Sequence, residues 1–145
     1  MKSMEYSTLI LLVAAFFPII GGLLHVMIIF GGVSWYEFFY APPPILESAK
    51  DGTWLAPVGT LFVAFLMLLA GGYALSAAGV LFKLPLLKIA LITLSFLFIV
   101  RGVLLFHLIY WKPEVIDAFR VISSIMFLIS GMCFALGTYL RWRQL

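Results

Sequence analysis

The chain has 145 residues, of which 65% are hydrophobic and only 10% are charged, and its mean hydropathy is +1.20. A water-soluble domain is about 45–50% apolar and about 25% charged, and a small fold leaves too much surface exposed to hide so many apolar side chains. The composition therefore excludes a soluble domain, and the formal charge of +3 is scattered along the chain rather than clustered as nucleic-acid binding requires.

Four long apolar segments follow one another along the chain and predict membrane-spanning helices. Each exceeds the roughly 20 residues that an α-helix needs to cross a bilayer. We therefore predict an all-α integral membrane protein, an up-down bundle of four transmembrane helices that forms a single membrane domain over residues 1–145. The predicted spans cover residues 7–30, 54–82, 86–111 and 117–140.

The first predicted helix carries small residues and one histidine on a single face. Ala14, Pro18, Gly21 and His25 follow one another at spacings of four, three and four residues, which places them on one side of an α-helix. Small residues let helix backbones approach closely in lipid. We therefore expect this face to point into the bundle, with His25 near its outer end.

The outer connection, residues 31–53, is rich in aromatic residues and proline. Five of the six residues from Trp35 to Tyr40 are aromatic, the sixth is Glu37, and three prolines follow at 42–44. Aromatic side chains favour the membrane interface, and the segment is too short to cross the bilayer. We predict that it lies in the interface or folds back over the mouth of the bundle.

Arg101 lies in the middle of the third predicted helix, where a charged side chain costs about 2.5–3.5 kcal/mol. No carboxylate lies inside the hydrophobic part of any predicted span. The candidate partners are backbone carbonyls, His25, an acid of the outer connection such as Glu37, or an anionic ligand. An arginine that only snorkels or bonds to freed carbonyls is the structural alternative.

His25 and His107 are the only two histidines, and both lie about 6–8 Å below the outer ends of helices that run in the same direction. A shared level is what a bis-histidine haem or a shared proton site requires. The alternative is two structural histidines that are hydrogen-bonded within the bundle. Cys133 is the only cysteine, so the chain has no disulfide framework and no CxxC pair.

Lysine and arginine residues near the span ends predict the orientation. Five lie on one side of the predicted membrane and three on the other. The side richer in lysine and arginine is usually cytoplasmic. We therefore predict that both termini lie in the cytoplasm and that the membrane is a plasma membrane, such as the bacterial inner membrane. The five are Lys2, Lys83, Lys88, Arg141 and Arg143.

The sequence favours a non-enzymatic function for this membrane protein. The leading hypothesis is an accessory subunit or a binder of a lipid or another amphipathic ligand, in a pocket open to the outer leaflet with Arg101 at its base. The expected partners are membrane lipids, with a membrane-protein partner or a second copy of the chain as further possibilities, and no nucleic acid. The alternative is a haem- or quinone-linked redox or enzymatic protein that uses His25 and His107; no other cofactor is indicated.

Overall fold

The computed structural model of the protein describes the backbone of residues 2–145 and the side chains of residues 5–114 and 116–145. The side chain of Lys2, which contributes to the predicted orientation, lies outside this part. Every regular element within the described chain is helical. In chain order the elements are α1 (Lys2–Gly31), α2 (Val33–Phe38), α3 (Pro43–Lys50), α4 (Leu55–Ala78), α5 (Leu87–Trp111), a 3₁₀ turn (Pro113–Val115) and α6 (Ala118–Arg141).

Four helices are long and apolar enough to cross a membrane. This finding confirms the predicted all-α class with four transmembrane helices, and it is consistent with a four-helix membrane bundle. The connection over residues 31–53 holds two short helices, α2 and α3, that the sequence did not predict. The four candidate spans are Glu5–Gly31, Leu55–Ala78, Leu87–Trp111 and Ala118–Arg141.

Helix α4 ends at Ala78 rather than at residue 82, where the apolar pattern stops. Gly79 adopts a φ of 81°, which a residue with a side chain rarely adopts. The amide of Val80 then donates to the carbonyl of Leu75 at 3.0 Å, the long bond of a Schellman cap. The helix stops because this cap satisfies its last carbonyls, although the next side chains are still apolar.

The described chain divides into two compact units. The first, which we call the hairpin unit, comprises residues 2–18 and 70–145 and therefore holds α5, α6 and the neighbouring ends of α1 and α4. The second, the loop unit, comprises residues 19–69 and holds α2, α3 and the remaining parts of α1 and α4.

Glycine allows α5 and α6 to pack at close range in the hairpin unit. A Cβ atom added to Gly102 would lie 2.7 Å from the Cβ of Leu128, and one added to Gly131 would lie 2.8 Å from the backbone nitrogen of Ile99. Real Cβ atoms do not approach other atoms so closely. The two helices therefore depend on small residues for their contact, as transmembrane helices commonly do.

Polar contacts join the other helix segments of the hairpin unit. Ser130 donates from its hydroxyl to the carbonyl of Ala14 at 3.0 Å, and this bond links α6 to α1 inside the buried core. Arg141 donates from Nη1 to the carbonyl of Ala77 at 2.6 Å, close to the end of α4. A cation at the last carbonyls of a helix is favourable because it complements the helix dipole.

In the loop unit, the connection over residues 31–53 folds back onto α1 and α4. Tyr36 of α2 is only 4% exposed and packs with Ile28 of α1 and Ala56 of α4. Ser48 of α3 accepts a hydrogen bond from the backbone amide of Ala56 at 2.8 Å, so the connection also caps the start of α4. Phe38 in contrast remains 72% exposed.

Candidate anion site at Arg101

The four residues singled out in the sequence lie in different units. Arg101 and His107 belong to α5 in the hairpin unit, whereas His25 of α1 and Glu37 of α2 belong to the loop unit.

Arg101 is half-buried against α6. Its Nη1 donates to the hydroxyl of Ser124 at 3.1 Å, and its guanidinium carbon lies 5.2 Å from the centre of the Phe127 ring. The second contact is a cation–π interaction, which is worth more where water is excluded. Both partners come from α6, so the side chain crosses the α5–α6 interface.

The guanidinium is displaced along the hairpin toward the end of α5 at Trp111. The Cα of Arg101 lies ten residues before Trp111, about 15 Å along the helix axis. Gly102 faces Leu128, and Ser124 lies four residues before Leu128 on the antiparallel helix. The hydrogen bond to Ser124 therefore places the charge about one turn, roughly 5 Å, closer to the Trp111 end than the Arg101 backbone.

The charge of Arg101 has no counter-ion among the described side chains. Its one hydrogen bond goes to a neutral hydroxyl, and no carboxylate lies within ion-pair distance of it. A guanidinium has five N–H donors, and among the described side chains it donates to Ser124. A charge in a medium of low dielectric constant strongly favours an anion as its partner.

A second arginine lies on the same face of α6. Arg120 precedes Ser124 by four residues, one helical turn, so it lies on the side of α6 that contacts Arg101. Arg120 forms an ion pair with Asp117. The Asp117 side chain also accepts a hydrogen bond of 2.8 Å from the backbone amide of Arg120 and so caps α6 at its N-terminus. Arg120 and Asp117 therefore lie toward the same end of the hairpin as the Arg101 guanidinium, where Lys112 and Glu114 also lie.

His107 lies on the exposed face of α5, away from the buried side of that helix. Its ring centre is 6.0 Å from that of Trp111. It lines one end of a shallow groove of about 450 Å³ together with apolar side chains of the same helix. Those side chains are Ile99, Val100, Val103 and Leu104.

The two candidates in the loop unit each have a local partner. His25 has its Nδ1 atom 2.7 Å from the carbonyl oxygen of Gly21, one turn earlier in α1. Glu37 forms an ion pair of 2.7 Å with Lys50, and both side chains are half-exposed. No group of three or more metal-ligating side chains occurs in the described part of the chain. Haem ligation by His25 and His107 stays a prediction.

The sequence identified Arg101 but missed the partners that surround it. Ser124, Phe127 and Arg120 lie at spacings of three and four residues on one side of α6, a pattern that was available in the sequence. The short connection between α5 and α6 also predicts antiparallel neighbours. Counting outward from that connection would have placed Leu128 level with Arg101 and Ser124 about one turn nearer the connection, so the contact with Ser124 needed the side-chain direction that the structure shows.

The chemistry available at this end of the hairpin is recognition of an anion. Two guanidinium groups and a hydroxyl provide donors, and a phenylalanine ring supports one of the guanidinium groups. Neither histidine and no cysteine takes part in these contacts. No protein family, curated protein or solved structure matches this chain.

Proposed function

We propose that this protein is a non-enzymatic membrane protein that binds an anionic amphiphile, a lipid or a similar molecule, with Arg101 as the residue that contacts the anionic head. The observation that carries the proposal is that Arg101 has no carboxylate partner among the described side chains, and that its hydrogen bond within this part of the chain goes to the neutral hydroxyl of Ser124. Ionisable residues at membrane depth are rare and mark functional sites by default. A role as an accessory subunit is compatible with the same site.

The proposal includes an orientation. We place both termini in the cytoplasm of a plasma membrane, such as the bacterial inner membrane, because lysine and arginine favour that side. The end of α5 at Trp111 then faces outward. The guanidinium of Arg101, displaced toward this end, would be accessible to the head of an amphiphile from the outer leaflet, while its hydrocarbon chain stays among the exposed apolar side chains.

Two substitutions of Arg101 test the proposal. Arg101→Leu should fold but lose the lipids that the wild-type protein retains in native mass spectrometry, together with the thermal stabilisation that added phosphatidylglycerol produces. Arg101→Lys should restore this stabilisation only in part, because an ammonium group lacks the planar fork that grips carboxylate or phosphate.

Arg143→Leu is the matched control, since it removes one positive charge from an exposed position near the C-terminus. It should behave as the wild type. An Arg101→Leu protein that keeps every lipid bound to the wild type would refute the proposal.

A further inference from the structure

Arg101 and Arg120 form a pair of like charges at one end of the α5–α6 hairpin. Ser124 accepts a hydrogen bond from Arg101, and Arg120 lies one turn away on the same face of α6. Because Arg101 reaches Ser124, its guanidinium lies about one turn of α6 from the backbone of Arg120. Like charges repel more strongly in a medium of low dielectric constant than in water, so an anion held between them would relieve this repulsion.

Asp117 supplies only half of the negative charge that this pair requires. Its carboxylate contacts Arg120 through the side chain and the backbone amide, whereas Arg101 is outside its reach. The carboxylate therefore pairs with Arg120, and within the described part of the chain no carboxylate pairs with Arg101.

We propose that Arg101 and Arg120 together bind a phosphate group, and that Asp117 is a resident counter-ion whose hold on Arg120 the incoming phosphate replaces. This inference rests on the proposed function and names its ligand class. A phosphate presents oxygens in several directions, so two guanidinium forks and the Ser124 hydroxyl can contact it at once. A planar carboxylate pairs fully with the guanidinium of one arginine, and Arg120 then keeps its ion pair with Asp117.

Asp117→Asn is the decisive variant. Asparagine caps a helix about as well as aspartate does, so α6 keeps its start, while the competing negative charge is gone. We expect phosphatidylglycerol, titrated into the detergent-solubilised protein and followed by native mass spectrometry, to bind roughly two- to fivefold more tightly, the range that loss of a competing ion pair gives.

Glu114→Gln is the matched control, because it removes a carboxylate of the same charge from a neighbouring exposed position. Its affinity for phosphatidylglycerol should equal that of the wild type.

The second arginine is tested in a variant that removes both members of the Asp117–Arg120 ion pair. The double variant Asp117→Asn with Arg120→Gln replaces the ion pair with two neutral amides. We expect it to bind phosphatidylglycerol about tenfold more weakly than Asp117→Asn alone, since a charge-assisted hydrogen bond is lost. The thermal melting of each variant without lipid reports whether it has folded.

Three probes identify the ligand chemistry and its source. Stabilisation by phosphatidylglycerol alone assigns the phosphate to a lipid headgroup, and stabilisation by glycerol phosphate as well assigns it to a soluble phosphate; either result supports the proposal. Equal stabilisation by phosphatidylglycerol and by the carboxylate amphiphile oleate would overturn it.

The variants separate this inference from the proposed function. If Asp117→Asn and the double variant both bind phosphatidylglycerol as the wild type does, while Arg101→Leu loses it, the two-arginine site is wrong and the proposed function stands. If Arg101→Leu retains the lipid, the proposed function itself fails.

Discussion

Arg101 is a charged residue inside an apolar transmembrane helix. Its neighbours are a hydroxyl and an aromatic ring, which together offset part of the desolvation of the guanidinium. A hydrogen bond to a charged group contributes about 1.5–3 kcal/mol, whereas the charge costs about 2.5–3.5 kcal/mol at the centre of a span. The two terms nearly cancel, so the residue is not explained by stability alone.

The stability of Arg101→Leu follows from this balance. Without added lipid, we expect the variant to be at least as stable as the wild type, as buried ions replaced by apolar residues often are. Unfolding in mixed micelles of a mild detergent and dodecyl sulfate measures it. A loss of about 3 kcal/mol or more would show that the arginine is needed for folding, and it would contradict a ligand-binding role as the reason for the charge.

At the scale of the elements, apolar length predicted the four long helices but not the details of their ends. The run of apolar residues continues past Ala78, whereas the chain turns at Gly79 because that residue adopts a positive φ. Hydropathy does not register such a turn. Helices α2 and α3 were also missed, since they are short and their aromatic residues and prolines predict an interfacial segment rather than a helix.

The candidate site was predictable only in part, because the sequence shows which residues are charged but not how the helices align. A charge inside an apolar span is visible in the sequence, so Arg101 was found. Its contacts with Ser124 and Phe127 depend on the register of α5 against α6, which glycine packing at Gly102 and Gly131 determines. Small residues in the sequence indicate that helices approach each other, but not which residues face one another.

The α5–α6 register gives a prediction at this scale. Gly131→Ala should destabilise the protein by about 1–3 kcal/mol, because the new methyl group meets the backbone of Ile99, which cannot move aside as a flexible side chain can. Gly72→Ala in α4 is the control, since beyond the adjoining backbone of its own helix no described atom lies within 4 Å of the added Cβ. The control should be neutral or slightly stabilising in the same micelle assay, and equal effects of both variants would contradict the described packing.

The cap at the start of α4 gives a second prediction. Ser48→Ala removes the hydroxyl that accepts a hydrogen bond from the Ala56 amide. Loss of such a cap lowers the stability of a helix by about 1 kcal/mol. Hydrogen exchange at the Ala56 amide should accelerate. Ser34→Ala, which removes an exposed hydroxyl from α2, should leave that rate unchanged. Unchanged exchange in Ser48→Ala would show that α3 does not cap α4.

At the scale of the whole molecule, the proposed orientation determines which leaflet supplies the ligand. Single cysteines introduced in a Cys133→Ser background at Lys83 and at Lys112 should differ in their reactivity toward a membrane-impermeant thiol reagent in intact cells. Position 112 should react from outside and position 83 only after lysis. The opposite pattern would invert the topology and bring the Trp111 end of α5 to the cytoplasmic leaflet.

The central claim is that an anionic head contacts the Arg101 guanidinium, and solid-state NMR measures this contact directly. With ¹⁵N-labelled arginine in bilayers containing phosphatidylglycerol, dipolar coupling between the lipid ³¹P and guanidinium nitrogens should report a separation of roughly 4 Å, the distance of a charge-assisted hydrogen bond to phosphate. The chain has four arginines, so the spectrum of Arg101→Leu identifies the signal by its loss. A ³¹P-coupled signal that persists in full in Arg101→Leu would contradict the account.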